Sequence, residues 1–293
     1  MKALIVLNAY SVNKDCLYKA TRLKEELLKR SVETDIVRAE KLPVRSCGDS
    51  LDMDFLDGYS FAIDLDKDLY LAKALSQRMP LFNSYESFRI SDDKMLSILE
   101  LERSGVKTPL TISCPLCYSE IDEEAAKRFL DDVEEKLGYP LVYKQCHGSL
   151  GKQVLLIHDR KELEECYLKN RGIPHLYEKY LSANSGRDYR VIVIGDRVVA
   201  VMERENRNDF RSNIALGGKG TDVTKTVSPG VKETALKAAE ALKLDYAGID
   251  IGIDNDGNPT FFEANGNAFF TEIEKVTGMN IAGDFVEYIL KRI

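Results

Sequence analysis

The chain has no tryptophan, three histidines and no apolar run approaching the roughly 20 residues that a membrane-crossing helix requires. His147, His158 and His175 are too scattered in sequence to argue a catalytic triad. Basic residues are not in excess: the net charge is −7, and no basic stripe with interleaved aromatics appears. This excludes a nucleic-acid partner, because phosphate-backbone binding needs clustered Lys and Arg to displace counterions. The six cysteines are irregularly spaced, with Cys114-Pro-Leu-Cys117 the one close pair. No second CxxC or His pair completes a metal site around it, so it reads as packing rather than redox or zinc chemistry. The apolar start Ala3–Leu7 is too short for a signal h-region and reads as a first strand. Without a disulfide framework or an export signal, the chain reads as cytoplasmic and reduced, with no membrane partner.

Two nucleotide motifs are missing as well. There is no GxxxxGK[ST]; Gly217-Gly218-Lys219-Gly220-Thr221 lacks the upstream Gly and the hydroxyl directly after Lys. No GxGxxG opens a helix after a strand, which leaves a dinucleotide site without support. Any nucleotide must have its phosphates held in another way.

What is present is alternation. Lys2–Asn8, Thr34–Arg38, Tyr59–Leu65 and Pro80–Asn83 read as strands, with helices over Lys14–Arg30 and Asp68–Gln77. In the first helix Leu17, Ala20, Leu23, Leu27 and Leu28 form the expected apolar face. Residues 1–90 are therefore an α/β module with a parallel sheet. Ser91 is expected to cap a helix over Asp92–Arg103. A strand near Thr111, a charged helix over Glu120–Leu137 and a strand–glycine turn–strand unit, Leu141–Lys144 and Gln153–His158, complete residues 91–182. From Tyr177 the pattern becomes antiparallel. Tyr189–Ile194 and Arg197–Met202 flank the turn Gly195-Asp196, and Ala247–Ile253 and Pro259–Ala264 flank Asp254–Asn258. A helix opens at Ser228-Pro229, and Asn280 caps a closing one. The fold class is thus α/β in residues 1–90, followed by α+β in two parts, 91–182 and 183–293.

In the last hairpin, Glu263 and Asn265 lie two apart on one strand and share a face, and Asp250 lies in the partner strand. Two carboxylates and an amide form a hard-oxygen set of the kind that Mg²⁺ takes alongside water and phosphate oxygens. Taken singly, other residues have plainer readings: Lys144 as a surface lysine, Lys94 as an exposed first-turn residue, Asp188 and Arg190 as a strand-surface pair.

In order, however, Lys94, Gly105…Pro109, Tyr139-Pro140…Lys144, His147-Gly148…Gly151, Lys179-Tyr180, Asp188…Arg190, Asp209-Phe210-Arg211-Ser212-Asn213, Gly248-Ile249-Asp250 and Glu263-Ala264-Asn265 resemble an ATP-grasp ligase. The nearest branch is the RimK type, whose members are alpha-L-glutamate ligase-like enzymes. The likeness covers about residue 91 to the end, and residues 1–90 match only the α/β pattern of a pre-ATP-grasp domain. It implies an ATP-dependent carboxylate–amine ligase using Mg²⁺, with Mn²⁺ as a substitute. Its partners would be an amino acid and a carboxylate-bearing acceptor, peptide or small metabolite, and the state of such enzymes is often homo-oligomeric.

The roles follow from the same resemblance. Lys94 and Lys144 would contact ATP phosphates, and the loop from His147 through Gly148, Ser149 and Gly151 to Lys152 would fold over them as a lid. Lys179 and Tyr180 would supply the adenine-reading backbone, and Asp188 would hold the ribose. Arg211 and Asn213 would lie near the γ-phosphate and the reacting carboxylate, with Arg204 a further partner for the acyl-phosphate. Asp250, Glu263 and Asn265 would hold the metal, Glu263 bridging two ions.

The chain departs from the family where many relatives continue Asn-x-Ser-Pro-Gly: it reads Asn265-Gly266-Asn267-Ala268-Phe269-Phe270. That puts glutamate specificity in doubt. It also carries Lys179 where an acidic residue is common. A dipeptide or small-metabolite ligase of the same fold, and an inactive ATP-binding regulatory protein, are the alternatives.

Overall fold

A computed structural model describes residues 1–293, the Ala215 side chain excepted. The first segment comprises β1 (Lys2–Leu7), α1 (Lys14–Lys29), β2 (Glu33–Arg38), the short pair β3 (Arg45–Ser46) and β4 (Leu51–Asp52), β5 (Phe61–Asp64), α2 (Leu69–Ser76), β6 (Leu81–Phe82) and α3 (Tyr85–Ser91). Its sheet runs β2-β1-β5-β6, parallel throughout. The run Ala3–Leu7 is buried without interruption, as a strand covered on both faces must be. One face packs Leu4 and Val6 against Leu71 and Leu75 of α2. The other packs Ala3 and Ile5 against Leu23 and Leu27 of α1, in one core with Ile281 and Phe285 near the end of the chain.

The second segment holds α4 (Lys94–Glu100), β7 (Thr111–Ser113), α5 (Glu123–Leu137), β8 (Leu141–Gln145), β9 (Val154–Ile157), α6 (Arg160–Asn170) and β10 (His175–Lys179). Its antiparallel sheet has the order β7-β10-β8-β9. Leu130 of α5 and Leu163 of α6 share a core with Tyr143 and Tyr177 on the sheet.

The third segment contains β11 (Arg187–Ile194), β12 (Arg197–Glu205), β13 (Lys219–Asp222), α7 (Pro229–Ala241), β14 (Tyr246–Ile253), β15 (Pro259–Asn265), α8 (Thr271–Thr277) and α9 (Ile281–Leu290). The sheet order is β13-β12-β11-β14-β15, antiparallel at every pair. Ala235 and Ala238 of α7 pack on Val191 and Ile249 on one face of this sheet. The alanines let the helix approach closely, and Pro229 starts it with φ already set.

Three sequence expectations need correction. Ser91 does not cap a helix; it ends α3, which Ser84 caps by accepting from Ser87 N. Asp93 caps α4 instead, accepting from Met95 N and Leu96 N. Second, Leu17 and Leu28 of α1 are exposed at 43% and 52%, whereas the polar Lys19 and Glu26 are buried. The cause is that α8 and α9 cover α1 on a side that its own periodicity marks as polar: Tyr18 donates to Glu274, and Lys19 to Asn267 and Ala268. Third, α3, α6 and α8 are additional helices that the sequence reading left out.

Candidate active site

The second and third sheets face one another across a cleft holding about 800 Å³ of space, open solvent included. Lys144, Gly151, Lys179, Tyr180, Asp188, Arg204, Arg211, Asn213, Asp250 and Glu263 all border it. A narrow neck lined by Lys94, Gly148, Ser149, Gly151 and Glu263 adjoins it. Asn265 lies just beyond, in a larger chamber that shares Arg204, Asn213 and Glu263 with the first cleft. Every candidate residue from the sequence thus stands along one connected tract.

At one end, Lys144 on β8 reaches Glu178 on β10, with 2.5 Å between Nζ and the carboxylate. The register makes this contact: Lys144 pairs with Leu176, so Glu178 is its diagonal neighbour on the same face. Both side chains are nearly buried, at 12% and 4% exposure, so Lys144 is not the surface lysine of the plain reading. Tyr180 and Phe210 meet edge to face at 6.4 Å, giving the cleft an aromatic wall between the strand end and the third segment.

Opposite them lies a buried ion network. Arg204 donates to both oxygens of Asp188, at 2.7 and 2.5 Å, and reaches Asp250 at 3.0 Å. Arg190 grips Asp250 in the same bidentate way, at 2.5 and 2.9 Å. Antiparallel pairing again dictates the contacts, with Asp188 opposite Arg204 and Arg190 opposite Asp250. Asp188 and Arg190 are therefore partners of other strands, not of each other. Burial pushes Asp250 up from the ordinary carboxylate range, and the two guanidinium groups oppose it. Burial would lower Arg204, but Asp188 and Asp250 outweigh it and keep it a cation.

Glu263 lies opposite Asp250 on the neighbouring strand. Burial works to raise its carboxyl, but Lys94, the Asn265 amide, Arg190 and Lys144 prevail and hold it at about 2. Lys94 Nζ lies 3.4 Å from it, and Asn265 Nδ2 donates to it at 2.8 Å. Turned this way, Asn265 has no hydrogen bond to its side-chain oxygen among the described residues. Glu263 and Asn265 together suit a hard divalent cation that draws its other ligands from phosphate and water. Asp250 fits less directly, since both its oxygens are taken by arginines. Among the described residues no three His, Cys, Asp or Glu side chains converge on a common metal position.

The glycine loop covers the junction. Arg211 donates to Gly151 O at 2.7 Å and Val154 O at 3.3 Å, and Lys94 to Gly148 O at 3.3 Å. Gly151 has φ +70°, a conformation that glycine adopts without strain, and a Cβ there would press on the Asn213 side chain at 2.9 Å. Asp209 orients Arg211 through both carboxylate oxygens, at 3.0 and 2.6 Å. The hydrogen bond and charge raise Arg211 and lower Asp209 relative to their ordinary values.

Glu178, Arg190 and Asp209 belong to the candidate site by contacts that the sequence reading missed. An acidic residue does stand in the hinge, one position before Lys179, but only the pairing of β8 with β10 brings it to Lys144.

Two facing antiparallel sheets with a glycine loop closing over paired lysines and carboxylates define the ATP-grasp class of fold. A family model described as the RimK-like ATP-grasp domain matches residues 91–289, and the chain belongs to that family. The chain is 31% identical over 231 residues to beta-citrylglutamate synthase B of Danio rerio, covering 78% of this chain and 55% of that protein. It is 36% identical over 200 residues to the ribosomal protein bS6–L-glutamate ligase of Escherichia coli O1:K1, covering 67% and 63%. The matched segment thus spans somewhat over half the length of these relatives. In fold it is similar to the D-alanine–D-alanine ligase of Bacillus anthracis complexed with ATP, with a TM-score of 0.73, 19% identity, and coverage of 99% and 96%. The α/β module followed by the α+β pair of sheets is therefore the fold expected from the sequence.

Proposed function

We propose that the chain is an ATP-dependent ligase that joins a carboxylate to an amine through an acyl-phosphate. The observation that carries this reading is the convergence of Lys94, Lys144 and Arg211 on one cleft beneath a glycine loop, with Glu263 ionised beside them. Its relatives' names, a citrylglutamate synthase and a glutamate ligase, support the reaction class.

In the proposed mechanism a substrate carboxylate oxygen attacks the γ-phosphorus, the bond to the β,γ-bridging oxygen breaks, and ADP leaves with the electron pair. The amine nitrogen then attacks the acyl carbon, phosphate departs with the C–O electron pair, and a proton is lost from the nitrogen. The first step brings an anion against a polyanion, so charge neutralisation and positioning are the main requirements. Lys94 and Lys144 hold phosphate oxygens. Arg211, held in place by Asp209, faces the transferring group together with Asn213. Arg204 borders both chambers and helps to orient the reacting carboxylate. The backbone of Lys179 and Tyr180 reads the adenine edge, and Asp188 borders the ribose. Gly148, Ser149 and Gly151 close over the phosphates and keep water from the acyl-phosphate. Glu263 and Asn265 would hold Mg²⁺, or Mn²⁺ in its place, and Asp250 stands beside them held by Arg190 and Arg204. That ion supplies charge neutralisation of the phosphates when bound.

The reading divides the chain into 1–90, 91–182 and 183–293 and places it in the cytoplasm. No helix is long and apolar enough to cross a membrane among the described residues. The test is phosphate release from Mg·ATP with pooled amino acids and short peptides, product masses being read in parallel. Amine-dependent ADP and phosphate, with a product equal to two substrates minus water, is the expected result. Absence of any such product across the pools would leave a nucleotide-binding protein without ligase activity.

A further inference from the structure

The larger chamber lies between the first sheet's loops and the third sheet, continuous with the phosphate end of the cleft, and spans about 1960 Å³ with open solvent included. Any substrate that meets the γ-phosphate from the side away from adenine must enter it. Its walls carry two independent signals. The first is apolar surface: Leu150 of the lid, Ile214 and Phe269 are partly exposed to the chamber, and Phe88 and Met202 lie buried behind them. Phe269 stands in the segment Asn267–Phe270, where the chain departs from the family pattern.

The second signal is charge. Three basic residues line the chamber, and each is already matched: Lys67 by Asp92, Arg190 by Asp250, and Arg204 by Asp188 and Asp250. Asp15, Asp66 and Glu272 line it with no cationic side chain in ion-pair range among the described residues. A substrate ammonium is therefore welcome there. The reacting carboxylate takes Arg204; a second, side-chain carboxylate would lose water, find no further cation free and face three like charges.

We infer that this chamber selects substrates with an uncharged, apolar side chain and discriminates against the side-chain carboxylate of glutamate. The inference rests on the ligase reading and specifies its substrate class. A hydrophobic pocket separates substrates by about 10- to 200-fold per group misplaced. Rejection of an unpaired charge adds to that.

The test is a pairwise screen with the full chain, Mg·ATP, and leucine, methionine, phenylalanine, glutamate or aspartate as amine and as carboxylate partner, reading phosphate release and product mass. The expected result is kcat/KM at least tenfold higher for the apolar amino acids than for glutamate. Phe269→Arg, which places a free cation on the wall, should raise glutamate turnover relative to leucine at least tenfold. Phe269→Ala should lower the leucine-to-glutamate ratio of kcat/KM about tenfold. Glutamate as the best substrate of the unaltered chain overturns the inference while the ligase reading stands. No product from any pair, while the pooled amino acids and peptides of the ligase test do give one with glutamate, overturns the inference alone, and no product from either set overturns both.

Discussion

Replacing Arg204 by methionine tests whether the buried ion network at the centre of the site is structurally essential. Arg204 is 5% exposed and is the only cation in ion-pair range of Asp188 among the described residues, whereas Asp250 keeps Arg190 if Arg204 is lost. Two unit charges about 4 Å apart interact by about 4 kcal/mol at an effective dielectric of 20. Removing one member of a buried pair strands the other, which costs about 3–5 kcal/mol. At roughly 2 °C per kcal/mol for a chain of this size, Arg204→Met should melt about 6–10 °C lower.

The second half of the test separates charge from packing. Asp188→Asn combined with Arg204→Met restores neutrality and leaves the Arg190–Asp250 pair intact. The double variant should recover about 2 kcal/mol relative to the additive expectation. Guanidinium unfolding at pH 7, followed by circular dichroism, reads both quantities from the midpoint and slope. A loss below about 1 kcal/mol for the single variant, or strict additivity in the double one, would refute the reasoning. The network would then be an arrangement that water replaces at no cost.

The remaining predictions concern chemistry and pH. Arg211→Ala should cut kcat about 10²- to 10³-fold, the usual loss for one transition-state donor, and keep a wild-type circular dichroism spectrum, because the side chain is a quarter exposed and lies outside the cores. Lys144→Met should raise the KM for ATP and lower stability by stranding Glu178; adding Glu178→Gln should restore the stability but not the KM, as read by melting and steady-state kinetics. Burial pushes the Lys19 ammonium down to about 7, with the Cys16 thiol opposing. Its folded value lies below the unfolded one near 10.4, so between about pH 7 and 10 the unfolded state binds the extra proton and stability rises with pH by about 1.4 kcal/mol per unit. The difference in unfolding free energy between the wild type and Lys19→Met, measured across that window, should show this slope.

Periodicity made the sheets legible because each buried strand satisfies a local rule: Ala3–Leu7 is apolar throughout, and Glu263 and Asn265 alternate with Ala264. Cap residues were legible only in part. Ser91 and Asp93 are both good N-caps, and the choice falls to Asp93 because Ser91 is already held inside α3. The buried Lys19 and Glu26 were illegible for another reason: a helix face reads as polar until a distant segment covers it, and α8 and α9 come from the far end of the chain. The same limit hid the Lys144–Glu178 pair, whose members are far apart in sequence and meet through strand register alone. Motif order brought the candidate residues to one tract, whereas their electrostatic partners required the fold.

Those partners lead to a last prediction. Five cations bordering the proposed phosphate end of the tract are matched, Lys94 by Glu263, Lys144 by Glu178, Arg190 by Asp250, Arg204 by Asp188 and Arg211 by Asp209, and only the exposed Lys152 of the lid has no ion-pair partner there among the described residues. Those five pairs carry no net charge, although on the proposed function they meet a tetra-anionic nucleotide. Lys94 and Arg211 also donate to lid carbonyls, contacts that phosphate oxygens must displace. Basic residues alone therefore gain little from ATP, since each phosphate contact exchanges one anion for another. The gain has to come with positive charge brought in by the nucleotide's own divalent ion, accepted by Glu263 and Asn265. ATP binding measured calorimetrically should weaken at least a hundredfold when Mg²⁺ is removed with EDTA, and Glu263→Gln should abolish most of that metal dependence. Equal affinity with and without Mg²⁺ would mean that the matched pairs open on their own, and that the cations are held in reserve rather than neutralised.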